Sequence, residues 1–230
     1  MTDYREALDR AVSFSGASHE FFARSKAEEL LRLTRRHLGE PAELEALDAG
    51  CGIGLLDQHL GGRFKSLTGT DVSAEALETA ARENPSVRYE LAASDGFPFA
   101  DDAVDVTFAA NVVQVVPDEQ RAQFVSELAR VTRPGGLVVV FEHNPYNPLT
   151  QIVVRRFELR DEVRMLRPNR TKRLLRENGL AEVDFGFILL FPSRRRRLLA
   201  VERGLRRLPL AAQYYVAGRP ILAPPRAQPP

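Results

Sequence analysis

The sequence of 230 residues contains a single cysteine, no tryptophan and no apolar run longer than about five residues. The lone cysteine, Cys51, excludes an internal disulfide framework and is typical of a reducing compartment. The apolar runs are far shorter than the roughly 20 residues of a membrane-spanning helix, and the first residues lack the basic and apolar regions of a secretory signal. We therefore expect a cytoplasmic protein.

The formal net charge of +1 conceals an uneven distribution of charge along the chain. Residues 1–150 carry 14 Lys and Arg against 24 Asp and Glu, whereas residues 151–230 carry 18 against 7. A basic C-terminal part is typical of a protein that meets an anionic substrate or surface. Two oppositely charged faces that only keep one domain in solution are an equally good interpretation.

Three glycines at alternate positions, Gly50, Gly52 and Gly54, follow a short apolar run and the acidic Asp48. Helical spacing resumes over residues 55–60, so this segment predicts a strand, a tight turn and a helix. Such a turn binds nucleotide-like ligands, because glycines let ligand atoms approach the backbone at a helix N-terminus. The dinucleotide pattern G-x-G-x-x-G is not satisfied, since neither position 55 nor position 57 is glycine.

Two further motifs follow the glycine turn along the chain. Asp71 ends a predicted second strand 21 positions after Gly50, close to the offset at which a carboxylate binds ribose hydroxyls. An Arg-Pro-Gly-Gly segment, residues 133–136, is expected to end a helix over 118–133 and to redirect the chain into a fifth strand. Together with the glycine turn, these segments resemble the class I S-adenosylmethionine-dependent methyltransferases that act on small molecules.

The resemblance implies a doubly wound α/β fold with a mostly parallel, Rossmann-like sheet of seven strands over residues 41–220. It also implies that residues 1–40 form a helical lid over the cofactor. Two final strands, over 180–191 and 211–217, resemble the antiparallel C-terminal hairpin of that family. The Pro-rich residues 221–230 are predicted to be a disordered tail.

The cofactor implied by the resemblance is S-adenosylmethionine (SAM), with S-adenosylhomocysteine as its product and no metal ion. Asp71 would bind the ribose, and Asp95 would accept from the adenine amino group beside Gly96 and Phe97. A turn led by the Asp95 side chain is the alternative interpretation of that segment. The predicted cofactor contacts are Asp48, Gly50, Cys51, Gly52, Gly54, Asp71, Val72, Asp95, Gly96, Phe97, Asn111 and Val112.

The residues after the fifth strand are the predicted catalytic groups. His143 follows the carboxyl end of that strand, where open α/β sheets bind ligands, and an ordinary histidine pKa suits a general base. Glu142 would orient His143 or exchange the proton itself, although both side chains could simply stabilise a Pro-rich loop. Many relatives carry histidine where Gln114 and Val115 stand here. The predicted substrate contacts are Tyr4, Phe14, Gln114, Asn144 and Tyr146, of which the first two could instead only pack.

The reaction implied is attack of an acceptor oxygen or nitrogen on the sulfonium methyl group. We expect a small-molecule acceptor, such as a natural-product or sugar-like intermediate methylated on oxygen. N-methylation, a lipid-linked acceptor and a non-catalytic SAM-binding partner protein are the alternatives. Nucleic acid is not expected as a substrate, because no recognition domain and no tryptophan for base stacking are present. A basic helix is predicted over residues 193–208, and it would either associate weakly with a membrane surface or cover the sheet. We expect the protein to be a monomer or a homodimer.

Overall fold

A computed structural model of the protein describes residues 18–93, 96–156, 163–190 and 204–221. The strands in this part of the chain are β1 (Glu45–Ala49), β2 (Ser66–Asp71), β3 (Arg88–Leu91), β4 (Val104–Ala110), β5 (Thr132–His143), β6 (Leu180–Ile188) and β7 (Gln213–Pro220). The helices are α1 (His19–His37), α2 (Asp57–Leu60), α3 (Ala74–Glu83), α4 (Arg121–Val131), α5 (Pro148–Arg156) and α6 (Pro168–Glu177).

The strands form one sheet in the order β3-β2-β1-β4-β5-β7-β6. Neighbours from β3 to β5 are parallel, whereas β7 is antiparallel to both β5 and β6. This topology confirms the predicted doubly wound, mostly parallel sheet with a C-terminal antiparallel hairpin. The strand order reverses between β1 and β4, so a crevice opens at their carboxyl ends, where such sheets bind ligands.

The sheet is buried on both faces by apolar side chains. Helix α1 covers one face, where Leu30 and Leu33 belong to the same core cluster as Phe108 and Phe141. Helix α4 covers the other face, where Val125 and its neighbours pack with the valines of β5. Strands β4 and β5 are therefore almost continuously apolar, as expected of central parallel strands. None of the described helices is long and apolar enough to cross a membrane.

The prediction for the Arg-Pro-Gly-Gly segment is wrong in its local structure. Helix α4 ends at Val131, and residues 133–136 form a bulge inside β5, because Thr132 pairs with Val104 but Leu137 pairs with Val106. Within the bulge, Arg133 donates to the Asp105 carboxylate at 2.9 Å and also binds Glu45. The glycines thus allow the bulge rather than end the helix.

Other boundaries also differ from the prediction. Helix α5 begins within the segment that was expected to be a Pro-rich loop. Asn147 caps the helix by accepting from the Thr150 N–H at 3.0 Å, and Pro148 occupies its first position. Strand β6 ends at Ile188, before the predicted residue 191, and β7 runs three residues beyond residue 217. The described residues do not include Tyr4, Phe14, most of the predicted basic helix or most of the predicted tail.

Candidate cofactor and acceptor site

The glycine loop after β1 is tied to β2 and to the loop after β4. The N–H groups of Gly50 and Cys51 both donate to the Thr70 carbonyl oxygen, at 2.7 and 3.0 Å. Gly50 has φ +78°, and a Cβ there would lie 2.7 Å from Cγ2 of Val112. Gly52 also has a left-handed φ, and no atom lies within 4 Å of the Cβ position. The loop therefore presents bare backbone at the crevice.

The carboxylate of Asp71 lies at the tip of β2 beside this loop. Its Oδ2 accepts from the Gly52 N–H at 2.9 Å, and its Oδ1 accepts from the Ser73 N–H at 3.0 Å. Two backbone bonds fix the carboxylate, and each oxygen keeps a lone pair for a ligand hydroxyl. The neighbouring Val72 side chain is 68% exposed, which leaves its apolar surface free for a ligand ring.

A polar network that the sequence prediction missed supports the loop from behind. Tyr89 donates to the Asp57 carboxylate at 2.8 Å, and the Asn84 amide donates to the Tyr89 hydroxyl oxygen and to the Gly54 carbonyl. A Cβ at Gly54 would lie 2.5 Å from Asn84 Nδ2. The third glycine therefore packs against this network, which joins α2, α3 and β3 to the loop.

Two buried carboxyl groups, Asp48 and Asp57, lie side by side beneath the loop. Burial raises the pKa of Asp48 well above its usual range, and the negative charge of Asp57 adds to this effect. Burial raises the pKa of Asp57 to about 6, although the Tyr89 hydroxyl and Asp48 both favour its ionised form. Burial and the mutual repulsion of the two groups thus disfavour two negative charges beneath the loop. Burial likewise raises the pKa of the adjacent Cys51 thiol, so it is not a reactive thiolate.

Helix α1 places a lysine, Lys26, over the same edge of the sheet. Its side chain is only 5% exposed, and burial lowers its pKa to about 8. The negative charges of Asp48 and Glu142 act in the opposite direction and raise this pKa. It has no hydrogen bond or ion pair with any described residue. Helical spacing with the apolar Ala23, Ala27 and Leu30 places Lys26 on the buried face of α1, and this pattern was the signal that the sequence prediction overlooked.

The predicted catalytic pair lies at the carboxyl end of β5. Burial raises the pKa of Glu142 to about 8, and the backbone N–H groups of Val113 and Gln114 offset this only in part. Neither oxygen of Glu142 has a partner with hydrogen-bond geometry. Gln114 Nε2 lies 2.6 Å from His143 Nδ1, and burial followed by the Lys26 charge lowers the pKa of His143 to about 3. At neutral pH the structure thus holds a protonated Glu142 and a weakly basic, neutral His143.

Asn111 begins the loop after β4 in a strained backbone conformation. Its φ is +63°, a value that few residues other than glycine adopt, and its N–H donates to the Phe141 carbonyl at 2.8 Å. The side-chain oxygen is buried and has no partner in the structure. A strained, unpaired asparagine between β1 and β5 is typical of a functional site.

Other predicted site residues are placed differently. Asn144 donates from its amide to the carbonyls of Pro209 and Ala211 and accepts from the Tyr146 N–H, so its side chain is used within the fold. Tyr146 itself is 47% exposed. Phe97 donates from its N–H to Glu127 and packs edge-on against a neighbouring phenylalanine ring. Asp95 lies outside the described residues.

The unpaired acceptors of this edge fit the cofactor that the sequence resemblance implies. Buried oxygens without partners belong to Asp48, Asn111, Gln114 and Glu142. A ligand that carries an ammonium group and a sulfonium charge, as SAM does, can supply the missing donors and the positive charge. Among the described residues, no three His, Cys, Asp or Glu side chains are grouped to hold a metal ion.

Comparison with known proteins agrees with this fold. Residues 47–140 match a family model described as a methyltransferase domain. The malonyl-[acyl-carrier protein] O-methyltransferase of Pectobacterium atrosepticum is 33% identical over 137 residues, which are 58% of this chain and 52% of the relative. The ubiquinone biosynthesis O-methyltransferase of Thiobacillus denitrificans is 29% identical over 150 residues, 59% of this chain and 64% of the relative.

The chain spans about half the length of the malonyl-[acyl-carrier protein] O-methyltransferases that it matches. A solved SAM-dependent methyltransferase from Thermotoga maritima superposes with a TM-score of 0.64 at 16% identity, over 94% of this chain and 99% of that one. That likeness shows the shared fold. Together with the strand order, it shows that the chain has the fold of the SAM-dependent methyltransferases, within which residues 47–140 match a methyltransferase domain.

Proposed function

We propose that the protein transfers the methyl group of SAM to an oxygen atom of a small acceptor molecule. The observation that carries this proposal is the fixed Asp71 carboxylate beside the bare backbone of the glycine loop. The names of the two relatives, both O-methyltransferases, support oxygen rather than nitrogen as the acceptor atom. When bound, SAM supplies a methyl group that is already activated by the sulfonium charge.

Each part of the site has a role in this proposal. Asp71 would accept hydrogen bonds from the ribose hydroxyls of SAM, and the exposed Val72 would supply an apolar contact for its adenine. The glycine loop would let the cofactor approach the backbone, and the unpaired side-chain oxygens of Asp48 and Asn111 would accept from its ammonium group. Helix α1 and the loop after β5 exclude water and align the acceptor oxygen with the methyl group.

The acid–base roles predicted for the residues at the end of β5 stay a prediction. A histidine with a pKa near 3 is too weak a base for proton abstraction at neutral pH, and a Glu142 with a pKa near 8 is protonated there. The site therefore favours an acceptor that needs no base.

Isothermal titration of SAM into an Asp71→Asn variant tests the cofactor site. The amide keeps the shape of the side chain but offers one oxygen, so at least one charged hydrogen bond to the ribose is lost. We expect affinity to fall about 10- to 100-fold, the equivalent of one bond to a charged group. Glu90→Gln, an exposed acid on the adjacent strand, is the matched control and should bind as wild type does. Equal affinity of Asp71→Asn and Glu90→Gln would contradict the proposed role of Asp71.

An acceptor attached to an anionic carrier is a second candidate. The excess of 18 basic over 7 acidic residues after position 150 supports it, as does the acyl-carrier-protein substrate named for the Pectobacterium relative. Methyl transfer to such an acceptor should slow steeply as salt rises from 0.05 to about 0.5 M, because salt screens exposed charges. Salt-independent turnover would favour a free small molecule.

A further inference from the structure

We propose that the side-chain oxygens of Gln114 and Gln213 bind two hydroxyl groups of the methyl acceptor, which is therefore a neutral molecule with at least two hydroxyl groups close together. The inference rests on the proposed function and goes beyond it by naming the acceptor class and a residue, Gln213, that helps to select it. Three features support it: both oxygens are buried without a partner, both amides flank one histidine, and amide oxygens bind donors.

The first feature is the lack of a partner for the two side-chain oxygens. Gln114 is 2% exposed and Gln213 is 4% exposed. The Oε1 atom of each residue is buried and has no hydrogen-bond partner. A buried amide oxygen without a donor costs free energy, so folded proteins rarely keep one unless a ligand or an ordered water supplies the donor. Two such oxygens at one edge of the sheet indicate a site for donor groups.

The second feature is the position of both amides beside His143, at the carboxyl end of β5. Gln114 Nε2 lies 2.6 Å from His143 Nδ1. Gln213, the first residue of β7, pairs with His143 across the antiparallel ladder, and residues directly opposite each other extend their side chains to the same face of a sheet. The next pair on that face, Phe141 and Tyr215, is in contact, with ring centroids 6.2 Å apart. The two amides therefore flank one imidazole.

This position assigns Gln213 to the acceptor rather than to the cofactor. In the sheet, β7 is three strands away from β1, which leads into the glycine loop. At the usual spacing of neighbouring strands, three strands correspond to about 14 Å. Gln114 follows β4, which lies between the two, and its side chain is directed to His143. The donors that Gln213 lacks therefore come from a molecule bound beyond the glycine loop.

The third feature is the chemistry of an amide oxygen. It accepts hydrogen bonds and carries a partial negative charge, so it binds a hydroxyl group and repels a carboxylate. Because the Gln114 amide nitrogen already donates to the imidazole of His143, that side chain presents its oxygen to a ligand. Since the proposed acceptor atom is an oxygen, hydroxyl groups are the donors that fit. Two amide oxygens therefore favour a neutral acceptor with two hydroxyls over a carboxylic acid.

Nitrogen NMR of the glutamine side-chain amides tests the acceptor class without knowledge of the natural acceptor. The protein is saturated with S-adenosylhomocysteine, and catechol, its dimethyl ether and benzoate are added in turn. Catechol presents two adjacent hydroxyls that ionise more easily than those of an aliphatic alcohol, its dimethyl ether lacks both donors, and benzoate is an anion of similar size. We expect catechol alone to shift the amide signals of Gln114 and Gln213. No shift with catechol, or equal shifts with the ether or benzoate, would overturn the inference.

Gln213→Met removes the amide oxygen and keeps the length of the side chain. It should weaken catechol binding about 2- to 10-fold, the equivalent of one neutral hydrogen bond. Gln120→Met, at an exposed glutamine directly before α4, is the matched control, and equal affinities of the two variants for catechol would refute the role of Gln213. S-adenosylhomocysteine should bind Gln213→Met within about twofold of wild type, and a large loss would assign Gln213 to the cofactor and overturn the inference. Failure of wild type to bind S-adenosylhomocysteine would instead contradict the proposed function.

Urea denaturation of the ligand-free protein separates a binding role of Gln213 from a structural one. An unpaired buried oxygen lowers the stability of the fold, so Gln213→Met should leave the midpoint of unfolding unchanged or raise it. Gln151 is the contrasting case, because its amide donates to the Pro145 carbonyl at 2.6 Å, and Gln151→Met should lower the midpoint. A midpoint for Gln213→Met as low as that of Gln151→Met would show that Gln213 only supports the fold, and would refute the inference.

Discussion

Replacing Gly50 by alanine tests the account of the glycine loop most sharply. Gly50 has a left-handed φ of +78°, which costs a residue with a Cβ roughly 1–2 kcal/mol. The new methyl group would also lie 2.7 Å from Val112 Cγ2, and overpacking of this kind costs about 1–3 kcal/mol. The free energy of unfolding, measured by urea denaturation, should therefore fall by about 2–5 kcal/mol.

Gly135 is the matched control, because its φ of +83° is nearly the same and no atom lies within 4 Å of its Cβ position. Gly135→Ala should lower the free energy of unfolding only by the cost of the left-handed backbone conformation, about 1–2 kcal/mol. Adding Val112→Ala to Gly50→Ala should recover about 1 kcal/mol or more, since it removes the clashing methyl groups. Equal losses for the two glycine variants, or no recovery in the double variant, would refute the clash with Val112.

Two further predictions concern buried polar groups. Burial raises the pKa of Glu142 from 4.5 to about 8, so folding binds a proton between these values and stability falls as pH rises through them. Glu142→Gln should remove this dependence, so the slope of the free energy of unfolding against pH should become less negative by about 1.4 kcal/mol per pH unit in that range. An unchanged slope would contradict the raised pKa of Glu142. Tyr89→Phe leaves Asp57 without its donor and should lower stability by about 1–3 kcal/mol, whereas the half-exposed Tyr146→Phe should change it by less than about 0.5 kcal/mol. Equal effects of the two tyrosine variants in urea denaturation would count against the network.

The sequence predicts the sheet well because its signals are local. Alternating glycines after an apolar run, an acid at the end of β2 and apolar central strands each determine their own segment. The bulge at 133–136 was missed because only the pairing with β4 distinguishes a bulge from a helix end. Helix α5 was missed although Asn147 and Pro148 are typical of a helix start, since its neighbours were interpreted as a loop.

The candidate site was predicted only in part, because some of its residues come together only through the packing of separate elements. The glycine loop and Asp71 are adjacent in a local strand–turn–helix pattern, but Lys26 approaches Asp48 only because α1 packs across the sheet. Likewise, Asn84 and Tyr89 meet Asp57 from two other elements. The environment of His143 depends on a glutamine 29 positions away, so its pKa could not be derived from its position after β5.

Calorimetric titration of the purified protein with SAM and with S-adenosylhomocysteine decides whether this sheet edge binds the cofactor. We expect one site per chain and dissociation constants of about micromolar magnitude for both ligands, or roughly −8 kcal/mol. Absence of heat at millimolar concentrations of either ligand, with the fold intact by circular dichroism, would contradict the assignment of this sheet edge as a SAM site.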